Sequence, residues 1–268
     1  MSDTPTSADE PEAARPSSPE SAPATPSPEP VQQPQMTVGG VLGEAFSLYG
    51  RFFTRFFTLG LVVFLVLNLI TALAAAALLG GGSGAALFVA ISIAVALVGT
   101  FWLQGALVFA VQDVRDGSAD ESIGDLLRKV TPYLGTLVGA GILAGLGIAV
   151  GLVLLVIPGI YLLTIWAVLA PAIVLEGAGV MESFGRSRAL VSGRFWPVLG
   201  VVVVAVIISG VAQNLIGVIL SFLPVFLRYW LGGAVASAVA VPFMALAITL
   251  TYFALSDEKA EQGAEQGA

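Results

Sequence analysis

FTLGLVVFLVLNLITALAAAALL, from Phe57 to Leu79, carries no Asp, Glu, Lys or Arg. At a rise of about 1.5 Å per residue such a run is long enough to cross the roughly 30 Å of hydrocarbon in a bilayer. It is apolar on every face rather than along one stripe, which is the pattern of a helix surrounded by lipid or protein instead of water. Outward from this stretch the pattern recurs at Ala85 to Val111, Pro132 to Val156, Gly159 to Leu175, Phe195 to Leu223 and Tyr229 to Leu255. The expected fold is therefore an all-α polytopic membrane helix bundle of about six transmembrane helices.

Composition agrees. Hydrophobic residues make up 57% of the 268 and charged residues 11%, against about a quarter charged in soluble domains. The fourth run is the shortest. Ile157, Pro158 and Gly159 predict a tight reversal between the third and fourth runs; one kinked helix is the competing reading. The third run carries Gly135, Gly139, Gly141, Gly145, Gly147 and Gly151, small residues that allow close helix approach.

The membrane domain is expected over residues 37–255. Residues 1–36, rich in Pro, Ser and Glu, are too polar to bury a core and predict a disordered tail, in which Met36 offers an alternative start. The tail lacks the basic start and apolar stretch of a signal peptide. Residues 256–268 predict a second disordered tail. Between Val38 and Phe56 the apolar residues fall at three-and-four spacing, with Arg51 and Arg55 on the other face, which predicts a helix lying flat in the headgroup region. Similar interfacial helices are expected near 118–131, opened by Ser118 and Glu121 at capping-box spacing, and near 178–193. A weak repeat follows, in which each odd-numbered span is preceded by one such helix.

Orientation is read from the bases. Arg15, Arg51, Arg55, Arg115, Arg128, Lys129, Arg186, Arg188, Arg194 and Lys259 fall on one side and Arg228 alone on the other. The positive-inside tendency makes the crowded side cytoplasmic, so both termini are expected there, in the cell membrane. Tyr229 and Trp230 suit an outer aromatic belt; Tyr133, Trp196 and Tyr252 suit the inner one.

Several functions are disfavoured. Cysteine and histidine are both absent, which removes disulfides and thiolate or imidazole chemistry. The net charge of −7 argues against a nucleic-acid partner. No charge lies inside a span, where proton relays usually place one. No catalytic residue, metal site or cofactor is expected; any chemistry would fall to Asp113, Asp116, Glu176 or Glu182 acting without imidazole. Candidate intramembrane polar contacts are Gln104, Gln213 and Asn214, with Asn68. They act as hydrogen-bonding glue between helices or line a solute path. Candidate anionic-headgroup contacts are Arg51, Arg55, Arg186, Arg188 and Arg194, whose alternative role is setting topology. The expected partners are membrane lipids and other membrane proteins.

IPGIYLLTIW from Ile157 to Trp166, PAIVLEG from Pro171 to Gly177 and SFGRSRALVSGRFW from Ser183 to Trp196, with GEAFSLYGRFF from Gly43, resemble the membrane domain of glycerophosphoryl diester phosphodiesterases and its stand-alone relatives. The resemblance covers roughly residues 37–255. It implies a six-helix membrane module of bacterial or archaeal type and carries over no catalytic residue, because the hydrolytic domain of the fused members has no counterpart here. Glu176, Ser187, Gly193 and Trp196 match the motif. Glu176 is placed to meet Arg186 or Arg188, Gly177 and Gly193 to turn the chain, and Trp196 to anchor the next span; the alternative for Glu176, Ser187 and Trp196 is contact with headgroups or a partner. The leading expectation is a non-catalytic module acting through lipid or protein contacts; the alternative is a transporter or flippase for lipid or small solute.

Overall fold

The computed structural model describes residues 36–81, 84–115 and 119–267. The chain divides into two units, Met1–Pro34 and Gln35–Ala268; the expected N-terminal tail lies outside the described residues apart from Met36. Everything described is helix, turn or extended linker. Among the described residues, six helical segments are long and apolar enough to cross a membrane: Phe53–Leu79, Ala85–Arg115, Ile123–Leu154, Val156–Glu176, Phe195–Ile219 and Val225–Ala264. The chain is an all-α polytopic bundle.

Helix α1 (Val38–Arg51) opens with Thr37, whose hydroxyl accepts from the Gly40 amide at 3.1 Å. It ends earlier than the expected Phe56: backbone angles leave the helical region at Phe52, and α2 (Phe53–Leu79) begins there. The Tyr49 hydroxyl donates to the Val239 carbonyl at 2.7 Å, and burial pushes its pKa up to about 12, so it remains a neutral donor. Helix α3 (Ala85–Arg115) runs back along α2, with Leu67 seated on Gly99.

The second interfacial helix is shorter than expected. Its cap is Ser122, which accepts from the Asp125 amide at 3.2 Å and starts α4 (Ile123–Val130); Ser118 lies outside the described residues. A tight turn at Thr131–Tyr133 leads into α5 (Leu134–Leu154). Leu155 is extended, and α6 (Val156–Ile165) reverses along α5, so that Gly159 meets Gly151 and Trp166 meets Gly147. The reversal reading holds over the single kinked helix. It falls at Leu155, before the predicted Ile157, because Pro158 fits the first turn of a helix, where no amide donor is needed.

The fourth span is not the continuous helix expected over Gly159 to Leu175. It breaks at Trp166–Val168 and resumes as α7 (Leu169–Glu176). Pro171 explains the break, since its ring has no amide to offer the carbonyl of Ala167 and crowds it. Irregular backbone at membrane depth must be covered by protein, and 44% of an 18-residue stretch of this span is buried against 17% of one in the second. Gly177, at φ +71°, closes α7 before α8 (Val180–Val191), and Gly193, at φ +85°, turns the chain into α9 (Phe195–Ile219).

A short helix α10 (Val225–Leu227) and a wide helical turn at Arg228–Gly232 lead to α11 (Gly233–Gly267). The expected disordered tail from 256 is corrected here: helix continues through Gly267, because its first turn past Leu255 finds bases to pair with. Half of an 18-residue stretch of the sixth span is buried, and α11 packs on α1, α2, α3, α7, α8 and α9. Gly60 lets the α2 and α11 backbones meet closely, since an added Cβ would stand 3.1 Å from the Ala238 Cα. Large apolar side chains such as Leu79, Val153 and Ile157 are more than 80% exposed on the outside, as lipid contact requires. Each odd-numbered span follows a short helix, α1, α4 or α8, in keeping with the repeat.

Candidate functional site

Cross-helix ion pairs put the starts of α2 and α9 and the ends of α3, α7 and α11 at one end of the bundle, here termed the basic end. Arg55 pairs with Asp113 and also donates to the Glu121 carbonyl at 2.8 Å. Arg115 meets Asp257 at 2.8 Å and lies 4.3 Å above the Phe253 ring. Lys129 pairs with Glu121, and Arg194 with Glu258. Lys259 donates to the Ser192 carbonyl at 3.2 Å. The Arg55 and Asp113 side chains are 15% and 6% exposed, the most enclosed of these pairs.

The motif residues assemble at the same end. Glu176 accepts from Arg186 Nε at 2.7 and 2.9 Å and from the Tyr252 hydroxyl at 2.6 Å, joining α7, α8 and α11. The hydrogen bond to Glu176 pushes the Arg186 pKa up, so the guanidinium stays charged. Ser187, fully buried, donates to the Ile165 carbonyl at 2.8 Å. At the break, Leu169 bonds to the Trp166 carbonyl, and Ile165 needs another donor. Ser187 supplies it. Trp196 is 76% exposed at the start of α9, as an interface anchor requires.

Of the five bases expected to face headgroups, Arg55, Arg186 and Arg194 are engaged with carboxylates. Arg51 lies 5.4 Å from the Phe52 ring centre, and it and Arg188 are exposed with no carboxylate within 4 Å among the described residues. Of the other proposed carboxylates, Glu182 caps α8 through the Gly179 amide at 3.2 Å, and Asp116 lies outside the described residues. Tyr252, read as a belt residue, is 5% exposed and turned inward; Trp230 likewise donates to the Leu65 carbonyl at 3.0 Å.

The amides are not brought together. Gln213 and Asn214 are exposed on α9 near the opposite end, beside a shallow hollow of about 350 Å³ with Gly217 and Ser221. Asn214 donates to the Gly210 carbonyl at 2.8 Å, a bond within its own helix. Gln104 lies on α3 in a groove of about 420 Å³ formed with α2 alone. Sequence reasoning missed this groove, though Ala74, Ala75 and Ala96, small residues that face each other across it, were a legible signal.

A profile described as a domain of unknown function, DUF7847, matches residues 123–256, half of the chain. The chain belongs to the DUF7847 family. The DUF7847 region begins at α4 and takes in the fourth-span break, Ser187 and the Glu176–Arg186–Tyr252 cluster, while the groove lies before it. Neither curated proteins nor solved structures yield a match. DUF7847 membership leaves the resemblance to phosphodiesterase membrane domains where the motifs alone put it.

Proposed function

We propose that this multi-pass chain is a non-catalytic membrane module that acts through contacts with lipid or with other membrane proteins. The observation that carries the reading is the groove between α2 and α3, an open hollow with apolar walls on two of the spans least buried by the rest of the bundle. Two further features support it. Four carboxylates at the basic end, Asp113, Glu176, Asp257 and Glu258, are each tied to an arginine, which fits them to holding helices together rather than to proton transfer. Gln104 on α3 lines one hollow and Gln213 and Asn214 on α9 line another, instead of all three lining a shared path, which favours contact over solute passage. The resemblance to phosphodiesterase membrane domains is kept within this reading, as is a cell-membrane location with the basic end and both termini in the cytoplasm.

The test is retention. Purified gently and washed with increasing detergent, the chain is expected to keep a defined lipid, or to crosslink in cells to a defined membrane protein. A chain that washes clean and crosslinks to nothing overturns the reading. In liposomes, chain-dependent movement of labelled lipid or solute would establish transport in its place.

A further inference from the structure

The geometry points to a binding site, in the α2–α3 groove, for an uncharged carbonyl-bearing lipid of the isoprenoid-quinone class; this rests on the lipid-contact reading and gives it a ligand. The groove runs along α3 from Val89 to Gln104, about 22 Å at the helical rise, more than the roughly 15 Å of one leaflet's hydrocarbon. No Asp, Glu, Lys or Arg lines it, so nothing there offsets a charge on the occupant. Thr71, Ser92 and Thr100 also line it, but their hydroxyls donate to the carbonyls of Leu67, Phe88 and Ala96, one turn back in their own helices, at 2.9, 2.7 and 2.7 Å.

Gln104 differs. Its amide, at the inner end of the groove, has no hydrogen-bond partner among the described residues. It stands nine residues from Asp113, about 14 Å along the helix and so close to the middle of the hydrocarbon if Asp113 marks the boundary. An amide unpaired at that depth is costly. A phospholipid does not relieve the cost, because its acceptors stay at headgroup level and only methylenes reach the midplane. A quinone brings ring carbonyls, no charge and a long apolar chain. One ring carbonyl accepts from the Gln104 amide, and the isoprenoid chain lies along the groove toward Leu78 and Val89. Only reversible binding is assigned.

The full chain in phosphatidylcholine nanodiscs, titrated with menaquinone-4, is expected to show saturable quenching of tryptophan fluorescence. Gln104→Leu should weaken binding about five- to tenfold, the worth of one amide–carbonyl hydrogen bond. Ala75→Phe, which fills the groove from an exposed position, should abolish it, while Gln213→Leu should leave it unchanged. Melting curves within a few degrees of the parent keep the comparison between folded proteins. Quenching that never saturates, or Gln104→Leu binding as the parent does, overturns the assignment. So does loss of bound phospholipid in Ala75→Phe without menaquinone binding, which would make the groove a seat for an acyl chain. Each of these failures leaves the retention test of the module untouched.

Discussion

Ser187 shows how one hydroxyl lets a membrane span be broken. The Ile165 carbonyl loses its helical donor at the break, and in a buried, apolar setting an unpaired carbonyl costs about 1–3 kcal/mol. Ser187→Ala is expected to destabilise the bundle by that amount in a denaturant titration in mixed micelles, with Ser187→Thr nearer the parent. Arg55 and Asp113 present the same logic with charge. Removing one member of an enclosed pair leaves the other buried without its main counter-charge, so Arg55→Ala should cost about 3 kcal/mol, and adding Asp113→Ala should recover part of the loss. The reverse, a double variant worse than the single, would show that Asp113 is held by other contacts. The surface pair of Arg115 and Asp257 is worth much less, about 1 kcal/mol or under.

At the scale of elements, the α5–α6 hairpin depends on two glycines in contact. A Cβ on Gly159 would stand 2.6 Å from the Leu152 backbone nitrogen, which cannot move without opening the turn. Gly159→Ala should therefore lower the melting temperature measurably, whereas Gly145→Ala, with open space around it, should not. The spans themselves were legible because length and exclusion of charge are written in composition, and a bilayer demands both. The break in the fourth was legible too, in Pro171, yet apolar character on both sides masked it. The end of α11 was not: Asp257, Glu258 and Lys259 read as a solvated tail, and only the neighbouring Arg115, Arg194 and Ser192, more than 60 residues away in sequence, give them a reason to stay helical. Glu176 was expected to meet Arg186 or Arg188 and meets Arg186, but Tyr252 could not be told from a belt tyrosine without the fold.

For the whole molecule, orientation is directly checkable, because a chain without cysteine accepts a single reporter thiol at any chosen site. Cysteines placed at Arg188 and at Lys259 should react together with a membrane-impermeant maleimide only in inverted vesicles, and one at Tyr229 only in intact cells. Labelling of Arg188 and Tyr229 positions from the same side would break the six-span topology. The central place of α11 bears on how the protein is made. This helix is synthesised after the other five spans, yet it packs on six helices and supplies Tyr252, Asp257 and Glu258 to groups that wait on earlier segments. Until it has been made and inserted, the preceding five spans sit in the bilayer with an open seam along α2 and α9 and with Arg115 and Arg194 lacking Asp257 and Glu258. Assembly thus closes on α11, and nascent chains cut short before Gly233 should be prime substrates for membrane quality-control proteases.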